Sequence, residues 1–132
     1  MSELFSADWM KGFAAEWNGD PTLSDALAQI GFTSTFAYGD KGDPAPKGVM
    51  VVENGKAVSA GAYAGEVLNW DIRAAPELWA KWLKKPPTMM DLGVAFTTGK
   101  LKFEVGDYGA MIKDARMAGP FIKSFAAMAR VA

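Results

Sequence analysis

Few side chains in this sequence could do chemistry, and the most suggestive group lies between Asp91 and Asp107. There the run FTTGKLKFEVGDYGAMIK, Phe96 to Lys113, sets a Gly-Lys pair close to the carboxylates Asp91, Glu104 and Asp107. A phosphate-binding loop needs Gly, four residues and then Gly-Lys-Ser/Thr, leading from a strand into a helix. Here five residues separate Gly93 from Gly99, and Leu101 stands where a Mg²⁺-binding hydroxyl would be. The pair also opens a strand instead of a helix, so no nucleotide site is expected. The spacing of the three carboxylates does not separate an acid–base pair from helix caps and surface charges. The chain has no histidine and no cysteine. That removes Ser-His-Asp and Cys-His arrangements, thiol chemistry, disulfides, and imidazole or thiolate metal ligands. The sequence therefore predicts no enzyme, no catalytic residue, no metal and no cofactor.

Charge points away from polyanions as well. Lys and Arg number 14 against 15 Asp and Glu, a net charge of −1, so nothing steers the chain to nucleic acid. The local basic clusters, Lys84-Lys85 and Lys100/Lys102, read as a solvated helix end and a solvated strand face. Half of the 132 residues are hydrophobic, with 5 Trp, 8 Phe and 8 Met. That suffices for one domain, residues 1–132, with a core of its own. No apolar run approaches the roughly 20 residues of a transmembrane helix. The N-terminal MSELFSADWM carries acids where a signal peptide would carry bases, so a cytoplasmic protein is expected.

The elements follow from hydrophobic period. Phe5, Trp9, Phe13 and Trp17 recur every fourth residue and predict a helix over 7–18, capped by Ser6. A second helix is expected from Pro21, after Asp20, turning Leu23, Leu27 and Ile30 inward. From Phe32 the period becomes two. FTSTFAY, GVMVVE and KAVSAGAYA, the last two joined by Asn54-Gly55, predict a three-stranded antiparallel meander. LNWDIR alternates, with Asp71 and Arg73 outward, and PELWAKWLKK then predicts a helix ended by Pro86-Pro87. Thr88 caps TMMDLGVAF, and KLKFEV alternates again. A helical connection between LNWDIR and KLKFEV allows them to be parallel neighbours. Their charges would then share one solvated face. YGAMIKDARM reads as a short helix, and Gly119-Pro120 starts the last one.

This order of elements, with the residues of the opening stretch, resembles the sterol carrier protein type 2 domain family. The motif that carries the resemblance is Phe96, Gly99, Lys100, Leu101 and Lys102, followed by Gly106-Asp107 and by Ala110-Met111. WDIRA and the Trp-bearing helix after it are also similar. The likeness spans Leu23 to Phe125 and is specific across Leu68 to Lys113. It implies an α+β fold, a five-stranded, mostly antiparallel sheet with helices on one face. It also implies an apolar tunnel between the layers for a fatty acid, acyl-CoA or sterol-like molecule. Three residues, Phe103, Glu104 and Val105, separate Lys102 from Gly106-Asp107, one more than the family pattern. The C-terminal ARVA is not a peroxisomal signal, which is more similar to stand-alone bacterial members.

Under that resemblance, the candidate ligand wall is drawn from the second half. It comprises Trp79, Trp82, Leu83, Met89, Met90, Leu92, Phe96, Leu101, Phe103, Met111, Met117, Phe121, Ile122, Phe125 and Met128. Methionine suits a surface that repacks around variable guests, but the same residues serve equally well as core. The implied protein is a lipid carrier, or an accessory subunit presenting an apolar substrate to a lipid or quinone enzyme. Its partners would be a lipid and, transiently, a membrane surface; the oligomeric state is open. The last helix could cover the tunnel mouth, the core or a partner subunit, and the lid over the mouth is the reading adopted.

Overall fold

The computed structural model describes residues 3–131; Met1, Ser2 and Ala132 lie outside them. Helix α1 (Ala7–Asn18) starts where Ser6 Oγ accepts from Trp9 N–H, and it buries Trp9, Met10, Phe13 and Trp17. Helix α2 (Ser24–Ala28) begins three residues later than expected. The reason is Asp20, whose carboxylate accepts from Thr22 N–H (3.0 Å) and Thr22 O–H (2.6 Å). That local turn competes with the first helical turn.

Strands β1 (Ser34–Asp40), β2 (Gly48–Glu53) and β3 (Lys56–Ala62) form the expected antiparallel meander. Asn54 (φ 48°) and Gly55 (φ 82°) both adopt the left-handed backbone that a two-residue hairpin turn demands. Trp17 Nε1 donates to the Gly55 carbonyl (2.9 Å) and pins α1 to this hairpin.

Strand β4 (Trp70–Ala74) lies beside β1 in parallel, and β5 (Leu101–Val105) closes the order β3-β2-β1-β4-β5. The β4–β5 pairing is antiparallel, contrary to the expected crossover. Pro86-Pro87 splits the connection into α3 (Pro76–Lys84) and α4 (Met89–Thr97), so the single-helix crossover never forms. The sheet is thus mostly antiparallel, with one parallel pair. Between Asp71↔Val105 and Ile72↔Phe103 the register skips Glu104. The extra residue of the KLKFEV segment is taken up there as a β-bulge.

The far side of β4 also departs from expectation. Asp71 and Arg73 are buried, 4% and 3% exposed, not solvated. Arg73 clamps both Asp71 oxygens (2.6 and 3.0 Å) and donates to the carbonyls of Asp40 and Asp43. The guanidinium thereby draws segment 41–47 over the sheet. Lys102 and Glu104 do stay exposed, paired along β5 at 2.9 Å.

Helix α5 (Tyr108–Lys113) is capped by Asp107. Helix α6 (Ala115–Ala129) starts well before Gly119-Pro120, because Asp114 Oδ1 accepts from Arg116 N–H and caps it there. Pro120 therefore sits inside the helix. Phe121, Phe125, Ala127 and Met128 of α6 belong to the central core with the residues of α1 and α3. The stripe of the last helix that was expected to lie over the tunnel mouth is therefore buried against the rest of the molecule.

Candidate functional site

The site lies where α1, α2, α5 and α6 meet the helix-facing side of the sheet. Trp17, Leu27, Phe32, Phe36, Met111, Met117 and Phe121 surround an internal void. Its walls are apolar throughout, and its free volume is about 10 Å³, room for one water-sized sphere. A tunnel of ligand length is not open among the described residues.

Aromatic side chains carry the wall onward. Phe36 stacks on Trp70 (6.2 Å), Trp70 meets Phe103 edge-on (6.1 Å), and Phe103 reaches Phe121 (6.2 Å). Tyr108 packs on Phe96 (4.4 Å) and against Phe103 (5.6 Å). Within these apolar surroundings Trp70 Nε1, Tyr108 Oη and Tyr38 Oη are buried with no hydrogen-bond partner among the described residues. Burial raises the pKa of both Tyr108 and Tyr38, so each phenol keeps its proton and remains a donor.

A scan of protein-family models and a search of curated proteins found no match. Solved structures do match. A crystal structure of sterol carrier protein 2 superimposes with a TM-score of 0.76 at 22% identity, covering 98% of this chain and 100% of that one. The solution structure of a conserved hypothetical protein from Thermus thermophilus, described with reference to sterol carrier protein, gives 0.67 at 22% identity. It covers 96% of this chain and 90% of its own. The chain has the sterol carrier protein 2 fold. A ubiquinone synthesis protein, UbiJ-SCP2, also matches, with a TM-score of 0.59 at 12% identity over 90% of this chain and 86% of that one.

Within this sterol carrier protein 2 fold, the fifteen expected wall residues divide into groups. Met111, Met117 and Phe121 border the void. Leu92 and Leu101 lie in the adjoining core, and Phe103 and Ile122 are half-buried against it. Trp79, Trp82, Phe125 and Met128 are core residues that do not line the void, though Phe125 packs on Phe121 at its edge (5.2 Å); Trp79 Nε1 donates to the Gly39 carbonyl (2.9 Å). Leu83 is half-buried beside Leu4 and Phe5. Met89, Met90 and Phe96 are exposed at 40%, 77% and 40%, because α4 buries only Leu92 and Ala95, although one side of Phe96 packs on Phe103 and Tyr108. Four wall residues, Trp17, Leu27, Phe32 and Phe36, come from the first half. Their period marks them as inward-facing, but nothing in their spacing separates wall from core.

The carboxylates that might have done chemistry have structural partners. Asp91 and Thr88 form a reciprocal capping box on α4, and Thr88 N–H bonding lowers the Asp91 pKa. Glu104 is held below the usual carboxylate range by its hydrogen bond with Lys102. Asp107 Oδ1 accepts from Gly109 N–H at 2.9 Å. Gly99 (φ 77°) terminates α4: Gly99 N–H bonds the Phe96 carbonyl and Lys100 N–H the Ala95 carbonyl. Those two bonds are the glycine-terminated helix stop, which accounts for the Gly-Lys pair without a phosphate.

Proposed function

We propose that this protein carries a long-chain apolar ligand between its sheet and helices α5 and α6, and that it has no catalytic activity of its own. The observation that carries the reading is the wholly apolar void at the sheet–helix junction, in a fold shared with sterol carrier protein 2. A ligand-sized pocket is about 300–1,000 Å³, so the wall must move outward to admit a guest. Two features support such movement. Met111 and Met117 are the most adaptable of side chains, and α5 is only one and a half turns long. Pro120 also has no N–H for the Arg116 carbonyl, so the first turn of α6 is loosely tied to the rest. Apolar burial at about 25 cal/mol per Å² gives a long acyl chain micromolar affinity without a polar contact.

Titration with fatty acids and acyl-CoA, followed by tryptophan fluorescence, tests this. Saturable quenching at micromolar lipid is expected, and Met117→Asp should abolish it by charging the wall. An absence of saturable change with every chain length would overturn the carrier reading.

The fold likeness to UbiJ-SCP2 favours a second reading, a subunit that presents an apolar substrate to a quinone-pathway enzyme. Both readings require the same void to open.

A further inference from the structure

Helix α4 has the composition of a buried helix and the position of a surface one. Its sequence, MMDLGVAFT, carries a single charge, Asp91, and is apolar almost all round. Such helices are ordinarily covered on every side. Here Met90 is 77% exposed and Val94 57%. They form, with Gly93, Thr97 and Thr98, a shallow apolar patch.

The polar groups of this helix make few demands on water. The capping box satisfies the Thr88 and Asp91 N–H groups, and the Gly99 stop satisfies the Ala95 and Phe96 carbonyls. Thr97 and Thr98 turn their hydroxyls onto the carbonyls of Gly93 and Val94, 2.8 Å in each case. The C-terminal half of the helix thus presents few open polar groups to a low-dielectric medium.

Cations flank the patch. Lys81, Lys85 and Lys100 rim a cleft of about 330 Å³ between α3 and α4, floored by Leu78 and Trp82, where Asp91 is the one opposing carboxylate and leaves the rim a net positive charge. None of the three is in an ion pair among the described residues. The chain as a whole has a net charge of −1, so this basic rim is a local segregation of charge, not a general property.

We infer that the α4 face docks this protein on an anionic lipid bilayer. Met90 and Val94 enter the boundary between headgroups and acyl chains, while Lys81, Lys85 and Lys100 meet the phosphates. Charge complementarity selects an anionic surface, and the long lysine stems lie along the apolar patch with their ammonium groups at headgroup level. A helix about 13 Å long with unbranched methionines also suits a fluid surface better than a shape-specific protein interface, which takes about 800 Å² per partner.

Co-sedimentation with vesicles tests the inference without any bound cargo. Wild-type protein should bind vesicles of equal phosphatidylglycerol and phosphatidylcholine, and at least about tenfold more weakly vesicles of phosphatidylcholine alone. Binding should fall in about 0.5 M salt. Met90→Asp/Val94→Asp should lose binding, while circular dichroism and the thermal midpoint stay unchanged, since both side chains are exposed. Lys85→Glu/Lys100→Glu should lose the preference for phosphatidylglycerol. The inference is overturned if wild type ignores anionic vesicles, or if either double variant binds them as wild type does.

Discussion

Arg73 and Asp71 show how a short motif misleads when only one strand is in view. In LNWDIR they alternate with Trp70 and Ile72 and look like the wet side of a sheet. The structure buries them beneath segment 41–47, where Arg73 satisfies one carboxylate and the carbonyls of Asp40 and Asp43. Its pKa rises, first through the Asp71 hydrogen bond, so the guanidinium stays charged. Removing one partner strands a buried charge. Arg73→Leu or Asp71→Leu should therefore each cost about 3–5 kcal/mol in urea denaturation. The double variant should cost clearly less than the sum of the two. Additive losses would mean that the residues act independently. At the same scale, the aromatic stripe from Phe5 to Trp17 was legible, because a four-residue period has only one helical meaning. The exposure of Met90 was not, since composition cannot say which side of a helix finds a neighbour.

At the scale of elements, turn and cap chemistry read best. Asn54-Gly55, Pro76 and Thr88 each act where the sequence places them, because each residue type has a local backbone preference that tertiary packing does not override. Gly119-Pro120 misled for the same reason in reverse. The pair is a good helix start, but the Asp114 cap starts α6 first, and the core side chains that follow hold the helix through the proline. A Cβ on Gly119 would have nothing within 4 Å, so Gly119→Ala is sterically free. It should stabilise the protein by about 0.5–1 kcal/mol through helix propensity. If the first turn of α6 is the moving wall, the same change should slow lipid association in stopped-flow fluorescence. A faster or unchanged association rate would place the moving wall elsewhere.

For the whole molecule, α+β class and a five-stranded sheet were within reach of periodicity and family likeness. The mostly antiparallel sheet that the likeness implies is the one observed, but periodicity did not reach the direction of β5, because its antiparallel return depends on two helices lying where one could have served. The ligand wall was only partly legible: Met111, Met117 and Phe121 stand at the void, whereas Trp17, Leu27, Phe32 and Phe36 were hidden among core residues of the same chemistry. Burial alone cannot tell a wall that parts from a core that stays shut. The central claim is that it parts around an apolar guest. Native mass spectrometry of freshly purified protein, with identification of anything extracted, measures this directly. The account predicts a bound fraction heavier than the chain by the mass of a long-chain apolar molecule, lost in Met117→Asp. A single unliganded species, unchanged after incubation with lipid, would contradict it.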